Sequence, residues 1–329
     1  AHLIRSGVKP DNVLALTFTN KAAGEMRERA ALLIGSRAAK ATLSTFHSFC
    51  YHTLRRFGDR AGLRQGFSVY DTSDQKALVK ACIKNLNLRD TGDASPDKIL
   101  QVISYAKNFR REPAAFIDSN NPLARRVPAI AEAYEKGLLD NNAVDFDNLI
   151  LKVLDILEQH EDVLSHFRKR YTHILVDEYQ DTNRVQFLLL QHLCGRGGHV
   201  TAVGDQDQSI YRWRGADITN ILEFESAFQQ AAVVPLEQNY RSTQGILDAA
   251  NSLIGKNRGS HRATLWSELG QGEVPFLHHA TDERAEAEFI ADEIMYLTGE
   301  EGGFSAGSIA ILFRTRAQSR VFEETFSLR

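Results

Sequence analysis

The chain has 329 residues, of which 43% are hydrophobic and 25% are charged, and its formal net charge is −3. That length and hydrophobic content are enough for two or three domains with packed cores. The slightly negative balance excludes a globally basic nucleic-acid-binding protein, so any contact with a polyanion has to be local.

The sequence contains no targeting or metal-binding pattern. No run reaches the roughly 18 apolar residues of a membrane span, and residues 1–20 lack the charged start, apolar core and cleavage site of a secretory signal. Cys50, Cys82 and Cys194 are scattered without CxxC spacing, which argues against a disulfide framework and a structural zinc site. We therefore expect a soluble, cytoplasmic protein with no membrane partner.

The first elements in chain order are a strand, a loop and a helix. Val13–Phe18 is a short apolar run typical of a buried strand, and a helical pattern follows at about 22–34. The connecting residues 19–21 place hydroxyls, backbone N–H groups and one lysine where a phosphate or a nucleic-acid backbone could be held. An ordinary connection with a surface lysine is the alternative, and it would be preferred if the segment stood alone.

A second strand and helix come next. Thr42–Thr45 predicts the strand, and apolar side chains recur at helical spacing over 46–57 until Gly58. The aromatic residues of this helix are expected to lie mostly in the core. Thr45 and His47, at the junction of strand and helix, are the candidates for contact with a ligand.

The segment 71–165 predicts a helical insertion. Helix caps and helical periodicity continue through it without a convincing strand. Ser73 or Asp74 is expected to open the first helix, and further helices are expected to start near 95, 122 and 145.

Three carboxylates follow directly on an apolar run in Ile174–Asp181. The run predicts a buried strand, and ligands of α/β sheets bind just beyond the carboxyl ends of the strands. Asp177 and Glu178 would then lie at the edge of a site, where one carboxylate suits Mg²⁺ and the other could orient or deprotonate water. The alternative is a solvated acidic turn in which Asp181 or Thr182 caps the next helix, and this segment alone does not decide between them.

The strand pattern resumes at His199–Val203 and again ends in an acid, at Asp205. In the loop that follows, Tyr211 and Trp213 alternate with arginines, a pattern suited to stacking unpaired bases while guanidinium groups meet backbone phosphates. The alternative is a tryptophan buried at a domain interface. The flanking glycines and the many polar residues make full burial unfavourable, so we favour the stacking role.

A second α/β sheet is predicted to begin near residue 235. Its strands are expected at Val233–Leu236, Val274–Leu277 and Ser308–Phe313, alternating with helical segments. The first of these strands leads into Tyr240 and Arg241. An arginine at a strand end could reach a γ-phosphate, although an isolated Tyr-Arg pair would carry little weight.

Six segments in a fixed order resemble the motifs of one family. They are TFTNKAAGEMRERA at 17–30, STFHSF at 44–49, LVDEYQDTN at 175–183, AVGDQDQSIYRWRGAD at 202–217, LEQNYRST at 236–243 and ILFRTRAQSR at 311–320. Together they resemble the superfamily 1 UvrD/PcrA/Rep-type DNA helicases, and the resemblance covers nearly the whole chain.

The resemblance implies a fold and its divisions. The expected fold is α/β, with a RecA-like P-loop NTPase motor domain that is truncated at its N-terminus, an all-helical insertion, and part of a second RecA-like domain. The first motor domain would comprise 1–70 and 166–234, the insertion 71–165, and the second motor domain 235–329. ATP and Mg²⁺ are the implied cofactors. Single-stranded DNA and DNA junctions are the implied partners, with DNA-repair or replication proteins as further candidates.

The resemblance also implies roles for individual residues. Asp177 is similar to the acid that coordinates Mg²⁺, Glu178 to the base that activates water, and Gln208 to the sensor of the γ-phosphate. Arg241 is similar to the arginine that stabilises transition-state charge, and Tyr240 to the aromatic residue that stacks on adenine. The implied contacts with single-stranded DNA are Phe18, Thr19, Thr45, His47, Tyr211, Trp213 and Arg214.

The implied function is an ATP-dependent helicase that moves 3′ to 5′ on single-stranded DNA. No GxxxxGK[ST] loop occurs in 1–329, and the resemblance implies that the family's second γ-phosphate arginine would lie beyond Arg329. We therefore expect a fragment of a longer helicase that is inactive alone. Two alternatives stay open. One is a non-hydrolysing module that binds single-stranded DNA. The other is a metal-dependent nuclease with a two-metal site made by Asp177, Glu178, Asp205 and Asp207.

Overall fold

The computed structural model describes residues 1–88, 95–195, 197–228, 231–257, 263–299 and 302–329. Within this part the chain forms two compact units, residues 1–233 and residues 234–329. None of the described helices combines the length and the hydropathy that crossing a membrane requires.

Parallel strands form the centre of the first unit. They are β1 Val13–Thr17, β2 Thr42–Thr45, β3 Ser68–Val69, β4 Ala143–Val144, β5 His173–Val176 and β6 His199–Ala202. Four of them form one sheet in the order β2-β1-β5-β6, and β3 pairs with β4 in a separate small sheet. Every residue of β1 is buried because this strand lies inside the larger sheet, between β2 and β5. This parallel arrangement confirms the α/β class predicted from the sequence.

The register brings the carboxyl ends of the four strands to one edge of the sheet. Thr17 pairs with Thr45 across β1 and β2, and Leu16 pairs with Val176 across β1 and β5. Val176 pairs in turn with Ala202 of β6. The segments that leave these strands therefore start side by side, at the edge where α/β sheets bind their ligands.

Helices connect the strands of the first unit. They are α1 His2–Arg5, α2 Asn20–Ile34, α3 Phe46–Phe57, α4 Thr72–Asn85, α5 Pro96–Phe109, α6 Val127–Asp140, α7 Phe146–Gln159, α8 Glu161–Arg170, α9 Arg184–Cys194, α10 Thr219–Leu222 and α11 Phe224–Ala227. The main hydrophobic core joins the sheet to α3, α7, α8 and α9. A separate core joins α4, α5 and α6, with Tyr134 and Val127 fully buried in it, so these three helices pack around their own centre while α7 packs in the main core.

The start of α4 differs from the prediction. Asp71 caps this helix and Thr72 is its first residue, because the Asp71 carboxylate accepts the backbone N–H groups of Ser73 and Asp74 at 2.7 and 3.0 Å. The Asp74 carboxylate accepts the N–H of Asp71 in return, which completes a capping box. Ser73 and Asp74 are therefore residues of the first turn and not its cap.

The prediction that 71–165 contains no strand is also wrong. Ala143–Val144 pairs in parallel with Ser68–Val69, and both residues of β4 are fully buried. Two residues are too few to show the apolar run or the alternation by which a strand is identified in a sequence.

The second unit contains α12 Gln244–Ile254, α13 Glu283–Thr298 and α14 Ser319–Ser327. Its described residues form no strand, so the strands predicted at Val233–Leu236, Val274–Leu277 and Ser308–Phe313 are wrong. Leu277 is 94% exposed and Leu312 is 93% exposed. Apolar character suggested these strands, but a strand also requires a neighbour whose backbone N–H and C=O groups it can pair.

Candidate functional site

Asp177 leaves the carboxyl end of β5 at the ligand-binding edge of the sheet. Its backbone N–H donates to the carbonyl oxygen of Leu16 at 2.9 Å, which continues the pairing of β1 and β5 by one residue. The side chain is half-buried. The carboxylate is therefore carried by rigid sheet backbone and not by a mobile loop.

Glu178 has a left-handed backbone conformation, with φ 53° and ψ 45°. This region is unfavourable for a residue with a Cβ atom and costs on the order of 1 kcal/mol or more. Neighbouring contacts hold the turn, because the N–H of Tyr179 donates to the carbonyl oxygen of Val203 at 2.9 Å. The exposed Glu178 side chain is thereby directed away from the path of the strand.

Gln180 links the carboxylate turn, residues 177–181, to the loop after β6. Its amide Nε2 donates to Glu178 Oε2 at 2.7 Å, and its Oε1 accepts the backbone N–H of Asp205 at 3.0 Å. The side chain is only 1% exposed. A Cβ atom on Gly204 would lie 2.7 Å from Gln180 Oε1, so the absence of a side chain at 204 allows this close approach.

Gln180 is a site residue that the sequence analysis missed. The available signal was an amide placed between acidic residues in an otherwise buried segment. A buried amide needs hydrogen-bond partners, and here Glu178 and Asp205 supply them.

Asp181 is a buried carboxyl in the same turn. Its side chain is 7% exposed, and its Oδ1 atom has no hydrogen-bond partner. Burial raises the pKa of this carboxyl to about 6, and the nearby Glu178 carboxylate adds to the increase. Asp181 does not cap the following helix, and neither does Thr182. Asn183 caps α9, in a capping box with Gln186.

The loop after β6 orients Gln208. Its Nε2 donates to Asp205 Oδ2 at 2.7 Å, and Asp205 Oδ1 accepts the N–H of Asp207 at 2.9 Å. Through the backbone of Asp205 and the side chain of Gln180, a series of three hydrogen bonds connects Gln208 to Glu178. The structure thus joins two of the predicted catalytic residues.

The four carboxylates of the nuclease alternative do not form a metal centre. Among the described residues there is no group of three or more His, Cys, Asp or Glu side chains that could hold a metal ion. Asp205 is engaged by Gln208, and Glu178 by Gln180. The two-metal site suggested for Asp177, Glu178, Asp205 and Asp207 is therefore not supported.

The aromatic loop, residues 211–217, combines one stacked ring with one exposed ring. Tyr211 stacks on Phe18 with ring centroids 5.4 Å apart and an interplanar angle of 20°. Trp213 is 59% exposed, so its ring is not buried inside the first unit. The left-handed Gly215, with φ 87°, ends the turn. The side chain of Arg214, which the sequence also predicted here, lies outside the described part of the structure.

Thr19 and Thr45 each cap a helix at the sheet edge. The hydroxyl oxygens accept the backbone N–H groups of Ala22 at 3.1 Å and of Ser48 at 3.2 Å. Thr19 is exposed, whereas Thr45 is 6% exposed. A ligand can therefore reach Thr19 more directly than it can reach Thr45.

His47 is half-buried in the first turn of α3. Its ring lies edge-on to Phe146, with centroids 6.0 Å apart. Burial lowers the pKa of His47 below its ordinary value, so the imidazole is mainly neutral at neutral pH. A neutral ring suits stacking or hydrogen bonding to a base better than it suits pairing with a phosphate.

Tyr240 and Arg241 lie before α12 in the second unit. Asn239 Oδ1 accepts the backbone N–H groups of Arg241 at 2.9 Å and of Ser242 at 2.8 Å, which fixes a tight turn. The Tyr240 ring is 79% exposed, and its hydroxyl donates to Gln238 Oε1 at 2.8 Å. The exposed side chains of Tyr240 and Arg241 follow one another along this turn.

Two family descriptions match the sequence in succession. Residues 1–229 match the UvrD/REP helicase N-terminal domain, and residues 234–329 match the UvrD-like helicase C-terminal domain. The chain belongs to the UvrD/REP helicase family. Membership confirms the resemblance seen in the six segments, and it assigns the parallel sheet to the RecA-like P-loop NTPase fold of UvrD helicase domains.

Relatives within the UvrD/REP helicase family support the same assignment. The chain is 44% identical over 321 residues to ATP-dependent DNA helicase PcrA of Bacillus subtilis strain 168, and 43% identical over 320 residues to that of Staphylococcus aureus strain NCTC 8325. The PcrA of Staphylococcus epidermidis is 42% identical over 320 residues. Each alignment covers 97% of this chain but only 43% or 44% of the relative, so the chain spans less than half the length of these proteins.

Proposed function

We propose that this chain is part of an ATP-dependent helicase that hydrolyses Mg-ATP to move 3′ to 5′ on single-stranded DNA. The observation that carries the proposal is the hydrogen-bonded series from Gln208 to Glu178, which starts three residues before the exposed aromatic loop. The segment 205–217 can therefore respond to the nucleotide through Gln208 and to DNA through the aromatic loop. The names of the PcrA relatives support both substrates.

The residues at the strand ends are suited to binding Mg²⁺ and to activating the attacking water in an Mg-ATP site. Asp177 offers the carboxylate oxygens that Mg²⁺ prefers as ligands, on a half-buried side chain at the carboxyl end of β5. When bound, Mg²⁺ supplies positive charge that neutralises phosphate oxygens. The sequence has no GxxxxGK[ST] loop. The residues present therefore account for Mg²⁺ binding and water activation, but not for binding of the phosphates by a P-loop lysine.

The proposed chemistry assigns one task to each polar side chain. Glu178 accepts a proton from the attacking water, and Gln180 fixes the direction of that carboxylate by its 2.7 Å hydrogen bond. Gln208 contacts the γ-phosphate. Loss of that phosphate on hydrolysis therefore changes the position of Gln208 and of the aromatic loop that follows it. Arg241 stabilises charge that develops on the transferred phosphoryl group, and the exposed Tyr240 ring stacks on adenine.

The aromatic loop is proposed to hold unpaired bases. The Trp213 ring is exposed and can stack on a base, while Tyr211 is supported from behind by Phe18. Thr19 offers an exposed hydroxyl at the start of α2, where backbone N–H groups favour phosphate. The proposed DNA contacts are Phe18, Thr19, Thr45, His47, Tyr211, Trp213 and Arg214.

The domain plan proposed with this function has two motor domains. The first would comprise 1–70 and 166–234, with the helical insertion 71–165 between them, and the second would comprise 235–329. The separate core of α4, α5 and α6 supports the insertion. The change from the first compact unit to the second at residue 234 supports the last division.

The test is strand separation by the complete gene product. Duplexes with a single-stranded tail at the 3′ end or at the 5′ end are incubated with Mg-ATP, and unwinding of the 3′-tailed duplex alone is expected. DNA binding without ATP turnover would favour the alternative of a non-hydrolysing module. Cleavage of labelled DNA with Mg²⁺ and no ATP would favour the nuclease.

A further inference from the structure

The last turn of α5 contacts the segment that follows the carboxylate turn. Asn108 Oδ1 accepts the side-chain amide of Asn183 at 2.6 Å, and both residues are at least 90% buried. Asn183 lies five residues after Glu178 and caps α9. Asn108 belongs to the helical insertion and touches neither of the proposed catalytic carboxylates Asp177 and Glu178 through any described hydrogen bond.

The same turn of α5 contacts the aromatic loop. A Cβ atom on Gly215 would lie 3.3 Å from the Cβ of Asn108, so the loop backbone passes directly over this side chain. One turn earlier on α5, the Tyr105 hydroxyl donates to the carbonyl oxygen of Trp213 at 3.1 Å. Asn108 and Tyr105 therefore support the loop from below at two points.

The two segments that meet on α5 are also joined to each other. Asn183 forms an antiparallel bridge with Ala216, and the N–H of Asp217 donates to the carbonyl oxygen of Thr182 at 3.0 Å. Asn220 Nδ2 donates to the same carbonyl oxygen at 2.9 Å. A movement of the aromatic loop is thus shared with the segment after the carboxylates, and α5 is the fixed body against which both are held.

Buried polar groups hold the Asn108 side chain in one orientation. Its Nδ2 donates to the Ser104 carbonyl oxygen at 2.9 Å, to the Ser104 hydroxyl at 3.2 Å and to Asp147 Oδ1 at 3.1 Å. The neighbouring Lys107 is held by Asp145 at 2.6 Å. A buried amide with its donors and its acceptor all engaged cannot rotate without leaving polar atoms unpaired.

We propose that Asn108 is a positioning residue that couples DNA on the aromatic loop to the geometry of the carboxylate turn. A base stacked on Trp213 restricts the loop, and Asn108 transmits that restriction to Asn183 through its hydrogen bond and its contact with Gly215. A bound nucleotide restricts the carboxylate turn, and the same contacts of Asn108 transmit that restriction to the aromatic loop. This inference rests on the proposed function, because it needs both a nucleotide site and a DNA site.

The test compares Asn108→Ala with wild type in the complete gene product. Two ratios are measured: ATPase turnover with and without single-stranded DNA, and DNA affinity with and without a non-hydrolysable ATP analogue. Coupling between two sites is typically worth roughly 5- to 150-fold and is reciprocal for binding. We expect the variant to keep the DNA-free turnover of wild type, while DNA stimulation falls roughly tenfold and the affinity ratio approaches one.

Ser104→Ala is the matched control. It removes one of the acceptors of the same Asn108 amide but leaves the bond to Asn183, so both ratios should stay at their wild-type values. Tyr105→Phe is a second variant for the case in which Asn108→Ala does not fold. It deletes only the hydroxyl that supports the Trp213 carbonyl oxygen and should lower DNA stimulation several-fold.

The outcomes separate this inference from the proposed function. A wild-type protein without DNA stimulation would refute the proposed function, and the inference with it. A stimulated wild type whose ratios are unchanged in Asn108→Ala and in Tyr105→Phe would overturn the inference alone. Equal losses of DNA-free and DNA-stimulated turnover in Asn108→Ala would also overturn it, because a purely structural residue behaves in that way.

Discussion

Two unfavourable features occur in the single turn that follows β5. Glu178 has a positive φ of 53°, and Asp181 has a buried carboxylate oxygen without a partner. Each costs on the order of 1–3 kcal/mol, and a structure retains such costs mainly where neighbouring contacts hold them in place. Gln180 and the backbone of Val203 provide those contacts here. The combination supports a functional role for this turn independently of the family assignment.

Glu178→Gln should preserve ATP binding and lower turnover. The amide keeps the size of the side chain but cannot accept the proton of the attacking water, and loss of a positioned base costs roughly 10²–10⁴ in rate. Steady-state phosphate release and nucleotide binding are measured on the complete gene product. Glu28→Gln, at an exposed glutamate of α2, is the control and should behave as wild type. Wild-type turnover in the Glu178 variant would remove this residue from the mechanism.

Asp181→Asn should stabilise the protein at pH 8 and not at pH 4. The pKa of about 6 in the folded state lies above the ordinary 3.8, so the folded state binds the proton more readily. The charge of Asp181 therefore opposes folding above about pH 6, and this opposition disappears as pH falls from 6 toward 4. The gain at pH 8 is on the order of 1–3 kcal/mol.

Thermal melting of wild type and Asp181→Asn between pH 4 and pH 8, without metal or nucleotide, measures this dependence. Asp11→Asn, at an exposed carboxylate, controls for the general effect of removing a negative charge. A gain in melting temperature that is the same at every pH would contradict the raised pKa of Asp181.

A candidate site residue could be predicted where its neighbours in the sequence mark it. It could not be predicted where its role depends on contacts with residues far away in the sequence. The position of Asp177 and Glu178 at the sheet edge was predicted because an apolar run leads directly into them, and their proposed roles came from the family resemblance. Gln180 and Asn108 depend on partners 25 and 75 residues away in the chain. Nothing within either segment indicates those contacts, because they arise only when the sheet and the insertion are folded together.

At the scale of elements, the aromatic loop carries one exposed ring and one packed ring on the same short turn. A turn of 3₁₀ helix, Arg212–Arg214, places Trp213 outward, while Tyr211 packs on Phe18. The turn ends at Gly215, whose positive φ and close approach to Asn108 both favour the absence of a side chain. Exposure of one ring and support of the other are thus set by the same backbone.

Trp213→Ala should weaken binding of single-stranded DNA by roughly 1–3 kcal/mol, the contribution of one stacked base. Fluorescence titration with a labelled oligonucleotide measures the change at constant salt. Tyr296→Ala is the matched control, since this tyrosine on α13 is also 60% exposed but lies outside the aromatic loop. Unchanged affinity in the Trp213 variant would assign the exposed ring to another role.

The four strands of the larger sheet were predictable, whereas the strands expected in the second unit do not form, for a physical reason. Val13–Thr17 and His173–Val176 are mostly apolar and also have neighbours that pair with them. Val274–Leu277 has the same apolar character but no described pairing partner. Sequence patterns report the hydrophobicity of a segment, whereas a sheet depends on which segments meet.

At the scale of the whole first unit, a buried ion pair joins α5 and α6 to the start of α7, a helix that packs in the main core. Lys107 of α5 is 7% exposed and contacts Asp145 at 2.6 Å and Glu135 at 2.5 Å. Burial alone would lower the pKa of Lys107, but the carboxylates of Asp145 and Glu135 outweigh that effect and hold it above its ordinary value. The Tyr134 hydroxyl also donates to Asp145, at 2.9 Å.

Lys107→Met should destabilise the protein by roughly 3–5 kcal/mol, because it leaves the buried Asp145 charge without its cation. Lys107→Met with Asp145→Asn should recover part of the loss, since the stranded charge is then gone. Denaturant unfolding of the two variants and of wild type measures both effects. Lys136→Met, at an exposed position of the neighbouring helix α6, is the control. Equal stability of all the proteins would show that this pair contributes nothing.

Residues 1–329 alone should release no phosphate from ATP, even with saturating single-stranded DNA. The sequence carries Asp177, Glu178 and Arg241 but no GxxxxGK[ST] loop, and phosphoryl transfer depends on positioning and charge stabilisation. Turnover is compared between this polypeptide and its Glu178→Gln variant. DNA-stimulated release that is present in the first and lost in the second would show that a different phosphate loop exists within these residues.

The separate core of α4, α5 and α6 affects how the molecule opens. Its buried residues form a cluster apart from the one around the sheet, so α4, α5 and α6 can unfold as a unit while the sheet persists. In hydrogen exchange, the amides of these three helices would then lose protection together and earlier than those of β1 and β5. In that state Asn108 no longer contacts Asn183. The aromatic loop and the segment after the carboxylate turn have then lost α5 as their common support. The lifetime of the coupling between the proposed nucleotide and DNA sites could therefore not exceed the time between two openings of these helices.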